Sequence, residues 1–247
     1  MADLAWVIDD LIAANRILAA EGVVDSFGHV SVRHPERPEH FLISRNKSPQ
    51  IVQAEDIMEM DFEGNEVNPS GREPYGERFI HAAIYAARPE VGAVVHSHSR
   101  TTIPFGVTAE RLRPITHVSV TIGPEVPVWD PQDHFGDTNM LVSNIELGRD
   151  LARSLEGRPA ILMRGHGSTI VGRELRDTVY TAVYLEVNAQ LQLQAKLLNA
   201  GPIKFLTIGE IDQFAAHLNR HKPNVGYDKA WENWCLKYGQ AYKPRQV

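Results

Sequence analysis

The segment Val91-Gly92-Ala93-Val94-Val95-His96-Ser97-His98 constrains this chain more than any other. Small and apolar residues run directly into two histidines two apart, which reads as a buried strand. Residues i and i+2 of a strand share a face, so His96 and His98 present both imidazoles on one side of a strand end. Open α/β folds place their ligands at strand ends, and two neutral imidazoles at this spacing can hold one divalent ion. A hydrogen-bonded histidine pair in a loop is the plainer alternative. A third histidine, in Arg164-Gly165-His166-Gly167-Ser168, follows a second apolar run, Ala160-Ile161-Leu162-Met163. Three histidines at two strand ends match an open catalytic site better than a closed structural one, which usually has four protein ligands.

At 247 residues and 43% hydrophobic content, the chain can bury a sizeable core and is not disordered. A net charge of -6, with no Lys/Arg cluster interleaved with aromatics, speaks against nucleic acid as the main partner. One cysteine, Cys235, leaves no internal disulfide and fits a reducing compartment. It sits among Trp231, Trp234 and Tyr238, as a packed thiol would. No basic stretch leads into an apolar core at the N-terminus, and no run reaches membrane-spanning length. The expectation is a soluble cytoplasmic protein without a membrane partner.

No repeat or low-complexity linker divides the chain, so residues 1–247 read as one domain, with a helical C-terminal extension from about 202. The spacing predicts a helix from Leu4 to Ala20, closed by Gly22. Short strands are expected over Val30–Arg33, His40–Ser44 and Met58–Phe62, the last ended by the turn Glu63-Gly64-Asn65. Glu77–Ala87 reads as a helix that feeds the His96 strand. Arg113–Ile122 carries strand-like residues, and 124–140, rich in Pro and Asp, reads as irregular. Asn144 caps a helix to Leu155, ahead of the strand ending at Met163. Leu175–Leu198 is a long helix stopped by Gly201-Pro202, with two more near Glu210–Leu218 and Asp228–Tyr238.

Glu77 lies one turn before His81 on the helix leading into the histidine strand. A carboxylate near a three-histidine ion can be a fourth ligand, a general acid/base, or both in turn. The competing reading is a solvated glutamate at a helix start, where the dipole favours it. His81, on the helix interior, reads as structural.

The order Glu77-x-x-x-His81, Ile84-Tyr85, Arg88-Pro89, Val95-His96-Ser97-His98 and Gly165-His166-Gly167 resembles the class II aldolase/adducin family, over roughly residues 4 to 200. The resemblance implies an α/β fold: a three-layer α/β/α domain with a largely antiparallel central sheet. It also implies that His96, His98 and His166 hold one divalent metal ion per subunit, and that Glu77 is the catalytic acid/base and sometimes a ligand. A three-histidine set suits zinc first, with Mn, Co, Fe or Mg as alternatives. Members commonly form homotetramers with active sites near subunit interfaces.

The departures from the sugar-phosphate aldolases of that family are informative. Gly28-His29 stands where they carry Gly-Asn, and Tyr75-Gly76 where they carry a Ser-Ser pair that helps hold phosphate. Arg45 and Lys47 follow Ser44 in a region where the family also contacts substrate. A guanidinium there suits a carboxylate, and a surface salt bridge is the equal alternative for Arg45. With Phe27-Gly28-His29-Val30-Ser31-Val32-Arg33 and Glu77-Arg78-Phe79-Ile80-His81, the chain looks most like the decarboxylase branch. That branch acts on carboxylated products of aromatic-ring degradation, such as hydroxy-carboxymuconic semialdehydes and dihydroxyphthalates.

The expected function is therefore metal-dependent decarboxylation of a hydroxy or oxo carboxylate, through a metal-stabilised enolate. Glu77 would handle the proton, and His29 or Arg45, with Ser44 beside it, would orient the small-molecule carboxylate. A class II aldolase or epimerase acting on a sugar or 2-oxoacid is the second reading. A non-enzymatic binding module like the adducin head is the third, opposed by the presence of all three histidines and Glu77.

Overall fold

A computed structural model of the chain describes residues 3–218, 220 and 225–244. The first helix, α1 (Leu4–Ala20), starts at Asp3, whose side chain accepts the Ala5 amide, and ends before Gly22 in the left-handed region. It leads into a seven-stranded sheet of β1 (His29–Arg33), β2 (His40–Ser44), β3 (Ile57–Asp61), β4 (Ala93–Ser97), β5 (Val128–Trp129), β6 (Ala160–Met163) and β7 (Gly167–Gly172). The spatial order is β3-β2-β1-β4-β7-β6-β5. Every neighbouring pair is antiparallel except β5 with β6.

The period-two alternation of the strands sends their apolar side chains to two separate cores. Phe41, Met58, Val94, Ile161 and Val171 face α2 (Arg78–Ala87) and α5 (Ile145–Leu155), whose Ile80, Ile84 and Leu151 complete that core. Val30, Leu42, Val95, Leu162 and Ile170 face the opposite way, onto α1 and α6 (Leu175–Leu198). The last helix, α8 (Val225–Lys237), adds Trp231, Trp234 and Cys235 to this second core. The expected three layers and largely antiparallel sheet are thus present. Single-turn helices α3 (Ile103–Gly106) and α4 (Gln132–Phe135), and α7 (Ile208–Leu218), complete the α-helices among the described residues. Asn144 caps α5 by accepting the Leu147 amide at 2.9 Å, as expected.

Two expectations need correction. Residues 113–122 form no strand: 113–116 are irregular and His117–Ile122 is a 3-10 helix ended by Gly123 at φ 83°. Side chains of α6 take the place of a neighbouring strand. Asn188 bonds both the Ile115 amide and the Arg113 carbonyl, and Gln192 accepts the Arg113 amide. With its backbone groups satisfied by a helix, the segment has no ladder to join. The stretch 124–140 is not wholly irregular, because Val128 and Trp129 pair in parallel with Leu162 and Met163.

Candidate metal centre and active site

The pairing of β4 with β7 assembles the site. Ser97 lies opposite Ser168, so His98, just past the end of β4, meets His166, just before the start of β7. That junction demands glycine: a Cβ on Gly167 would sit 1.9 Å from the Ser97 carbonyl oxygen. β1 enters from the other side with His29 opposite His96. Glu77 immediately precedes α2 and reaches the same end of the sheet.

The side chains converge. His98 Nε2 lies 3.0 Å from His96 Nε2 and 3.1 Å from His166 Nε2. Glu77 Oε2 is 3.4 Å from His166 Nε2 and 3.7 Å from His96 Nε2. One ligand atom from each of Glu77, His96, His98 and His166 fits within a 4.8 Å cluster.

Protonation decides what such a cluster can be. His98 Nδ1 faces the Asp25 carboxylate at 3.2 Å, and His166 Nδ1 faces the Met140 carbonyl oxygen at 2.8 Å. Both partners only accept, so each ring carries its proton on Nδ1 and, when neutral, turns a bare Nε2 lone pair on the other. Two lone pairs at 3.1 Å repel unless positive charge lies between them. A proton can supply it: burial works against a charge on His166, but the Glu77 carboxylate and the Met140 carbonyl win and raise its pKa. A divalent ion would satisfy all four groups together, and partners on Nδ1 are the usual outer support of histidine ligands. His96 departs from that pattern, since its Nδ1 is buried without a partner among the described residues. The residues therefore fit a divalent ion, with His96, His98 and His166 as ligands and Glu77 adjacent.

Glu77 is held in place as well as ionised. Its Oε1 accepts the Val142 amide at 2.9 Å. Burial alone would raise its pKa, but His166, His96 and that amide outweigh burial and bring it down to about 2.

The other expected site residues divide. His29 is buried beside the cluster, its ring 5.0 Å from that of His96 and 4.5 Å from that of Tyr75. Ser44 is fully buried at the end of β2, next to Tyr75, whose hydroxyl donates to the Lys47 carbonyl. Arg45 does what the salt-bridge alternative expected. Its Nε donates to Asp56 Oδ1 at 2.7 Å, while Lys47 Nζ holds Asp56 Oδ2 at 2.6 Å. Its terminal nitrogens carry no hydrogen bond among the described residues, so any substrate contact would have to come from them. Cys235 is a packed thiol, pushed up to about 11 by burial.

Sequence reasoning missed Asp25 and Met140. Asp25 left a faint signal: Asp25-Ser26-Phe27-Gly28 is a turn in which its carboxylate accepts the Phe27 and Gly28 amides. Met140 left none, because it acts through its carbonyl from a left-handed backbone at φ 69°.

The profile of the class II aldolase and adducin N-terminal domain matches residues 9–193. The chain belongs to this family. It is 37% identical over 206 residues to the decarboxylase tropJ of Talaromyces stipitatus, covering 78% of this chain and 77% of that protein. It is 31% identical over 195 residues to the 3,4-dihydroxyphthalate decarboxylase of a Terrabacter species, covering 73% and 77%. Among solved structures, the L-fuculose 1-phosphate aldolase of Glaciozyma antarctica superposes with a TM-score of 0.77 at 26% identity, over 98% of this chain and 93% of that one. By name these relatives are carbon–carbon lyases, as the sequence led us to expect. No helix among the described residues is long and apolar enough to cross a membrane.

Proposed function

We propose that this protein is a carbon–carbon lyase that removes CO2 from a hydroxy or oxo carboxylate of the kind formed in aromatic-ring degradation. The observation that carries the reading is Glu77: one carboxylate oxygen is tied to the Val142 amide, and the other is turned onto three convergent imidazoles. A divalent ion held by His96, His98 and His166, zinc first among Zn, Mn, Co, Fe and Mg, would supply the Lewis acid for the electron pair left by departing CO2. Glu77 Oε2 is the proton-handling atom, ionised at rest and placed to orient a water or pass a proton to the carbanionic carbon. His29 and the terminal nitrogens of Arg45 orient the substrate carboxylate near Ser44. The decarboxylase relatives support this choice.

The structural likeness to an L-fuculose 1-phosphate aldolase favours a second reading, aldol cleavage or epimerisation of a sugar or 2-oxoacid. Tyr75 and His29 count against a phosphorylated sugar. The Tyr75 hydroxyl is engaged with the Lys47 carbonyl and His29 Nδ1 with His81, and both rings are bulkier than the small groups that the resemblance leads one to expect around a phosphate. Incubation with 3,4-dihydroxyphthalate and a hydroxy-carboxymuconic semialdehyde, beside fuculose and ribulose phosphates, separates the readings. CO2 from the carboxylates supports the proposal; aldehyde from the sugars with no CO2 overturns it.

The same reading takes the chain as one domain, since α8 shares the core of α1 and α6. It also takes it as a cytoplasmic homotetramer. The buried free thiol of Cys235 supports the reducing compartment, and the exposed Leu191, Leu197 and Leu198 of α6 support assembly. A monomer mass by light scattering at micromolar concentration would contradict the tetramer.

A further inference from the structure

Behind His29, away from the ligand cluster, runs a line of buried polar groups that the proposed reaction does not use. Tyr85 Oη lies 2.8 Å from Ser31 Oγ, Ser31 Oγ lies 2.6 Å from His81 Nδ1, and His81 Nε2 lies 2.6 Å from His29 Nδ1. All four side chains are buried. His29 and Ser31 share one face of β1, and His81 and Tyr85 stand one turn apart on α2, so the helix–sheet packing itself builds the line.

Counting protons gives the line a direction. Burial disfavours charge on every group in the line, holding His81 down to about 3 and keeping Tyr85 a phenol, so each is counted in its neutral form. Each of the four groups then brings one proton to three links, so one proton is left over, at an end or on Ser31. A Ser31 oxygen that accepted from both Tyr85 and His81 would leave its own hydrogen with no further partner among the described residues. If the links ran from His29 towards Tyr85, the spare proton would be the Tyr85 phenolic hydrogen. That hydrogen has no acceptor among the described residues: Ser31 Oγ is the one hydrogen-bond partner of the Tyr85 hydroxyl there, and the ring lies against Phe41 and Phe62. A buried O–H without an acceptor is what folded proteins avoid. If the links run from Tyr85 towards His29, every internal hydrogen bond is made. The spare proton then rests on His29 Nε2, which has no protein partner among the described residues and lies at the strand end shared with His96.

We infer that Tyr85, Ser31 and His81 form a one-way hydrogen-bond chain that fixes the proton of His29 on Nε2, making His29 a hydrogen-bond donor to a substrate oxygen rather than a base. Tyr85, Ser31 and His81 are positioning residues acting through His29. The tautomer stands independently of the reaction; only the nature of the oxygen that accepts from His29 rests on the decarboxylase reading.

Nitrogen-15 NMR of histidine-labelled full-length protein, with and without Zn2+, reads the tautomer directly, and comparison with His29→Asn assigns the signals. Wild type should show His29 with a protonated Nε2 and an unprotonated Nδ1. Ser31→Ala and Tyr85→Phe should both move those shifts towards a mixture of tautomers. In turnover, Ser31→Ala should lower kcat/KM by about 10–100-fold, the usual cost of losing an outer support, mainly through KM. Ser31→Thr, which restores the hydroxyl, should recover both the shifts and kcat/KM. A His29 that carries its proton on Nδ1 in wild type, or shifts unchanged in both Ser31→Ala and Tyr85→Phe, overturns the inference. Absence of CO2 release with the wild-type shifts as described would overturn the decarboxylase reading alone.

Discussion

His98 Nε2 and His166 Nε2 stand 3.1 Å apart, while each ring uses its Nδ1–H outside the cluster, His98 on Asp25 and His166 on the Met140 carbonyl. Positive charge between them relieves the repulsion of two lone pairs, and under the proposed function a proton and a divalent ion would compete to provide it. His166 holds that proton more tightly than an ordinary histidine because Glu77 lies beside it. Below the raised pKa, binding an ion must expel one proton. Affinity should then fall by about tenfold for each pH unit below it and level off above it. Calorimetry with Zn2+ in buffers of different ionisation enthalpy measures the proton released. A pH-independent affinity with no proton release between pH 5 and 7 would exclude the competition.

Glu77→Gln keeps an oxygen that can accept the Val142 amide, so the loop carrying that amide should stay in place. The three histidines remain, and three protein ligands are the usual complement of a catalytic zinc site. A neutral amide cannot cycle a proton, so kcat should fall by about 10²–10⁴-fold while elemental analysis finds the ion still bound. Loss of the ion together with activity would instead make Glu77 a ligand.

Asp56 gives a stability signal remote from the cluster. It is buried, and burial raises its pKa, but Lys47, Arg45 and the Gln53 amide outweigh that and lower the pKa from 3.8 to about 2. A depressed carboxylate pKa stabilises the fold above the unfolded value, and that contribution is lost as pH falls from about 4 through 2. Asp56→Asn should lower Tm at pH 6, with a loss of about 1–3 kcal/mol, since Arg45 and Lys47 lose their shared partner. Scanning calorimetry should find the gap to wild type closing below pH 4. A constant gap down to pH 2.5 would show that the charge is not the cause.

How much of this was legible in the sequence follows from which interactions are local. Helix α6 could be read to its last residue because its apolar spacing and the stop at Gly201-Pro202 are local. The convergence of His96, His98 and His166 could be read because each follows an apolar run, and the two runs become strands of one sheet, β4 and β6, with β7 between them. Strand β7 was missed although Ser168-Thr169-Ile170-Val171 is rich in β-branched residues, because it follows the His166 turn with no separating loop. The wrong strand at 113–122 has a nonlocal cause: Asn188 and Gln192, 73 and 79 positions from the amides they bond, satisfy its backbone. The function of Arg45 was undecidable for the same reason, since Asp56 reaches it only once β2 and β3 have paired. His81 could be read as structural, but its link to His29 needs the register of α2 on β1, which no local pattern encodes.

Gly167 tests whether the site depends on the β4–β7 junction itself. A methyl group there would lie 1.9 Å from the Ser97 carbonyl oxygen and 3.1 Å from His98 Cα, both backbone atoms that cannot swing aside as a side chain can. Gly167→Ala must therefore push β7 away from the end of β4, at the point that sets the distance between His98 and His166. Overpacking of this kind costs about 1–3 kcal/mol or more, enough to lower Tm by several degrees. Zinc affinity should fall further than the stability loss alone explains, because two of its three histidines flank the displaced bond. Gly76→Ala, where an added Cβ meets open space, is the matched control and should keep both Tm and zinc affinity. Equal behaviour of the two variants would mean that the ligand geometry is set elsewhere, by Asp25 and Met140, and not by the strand junction.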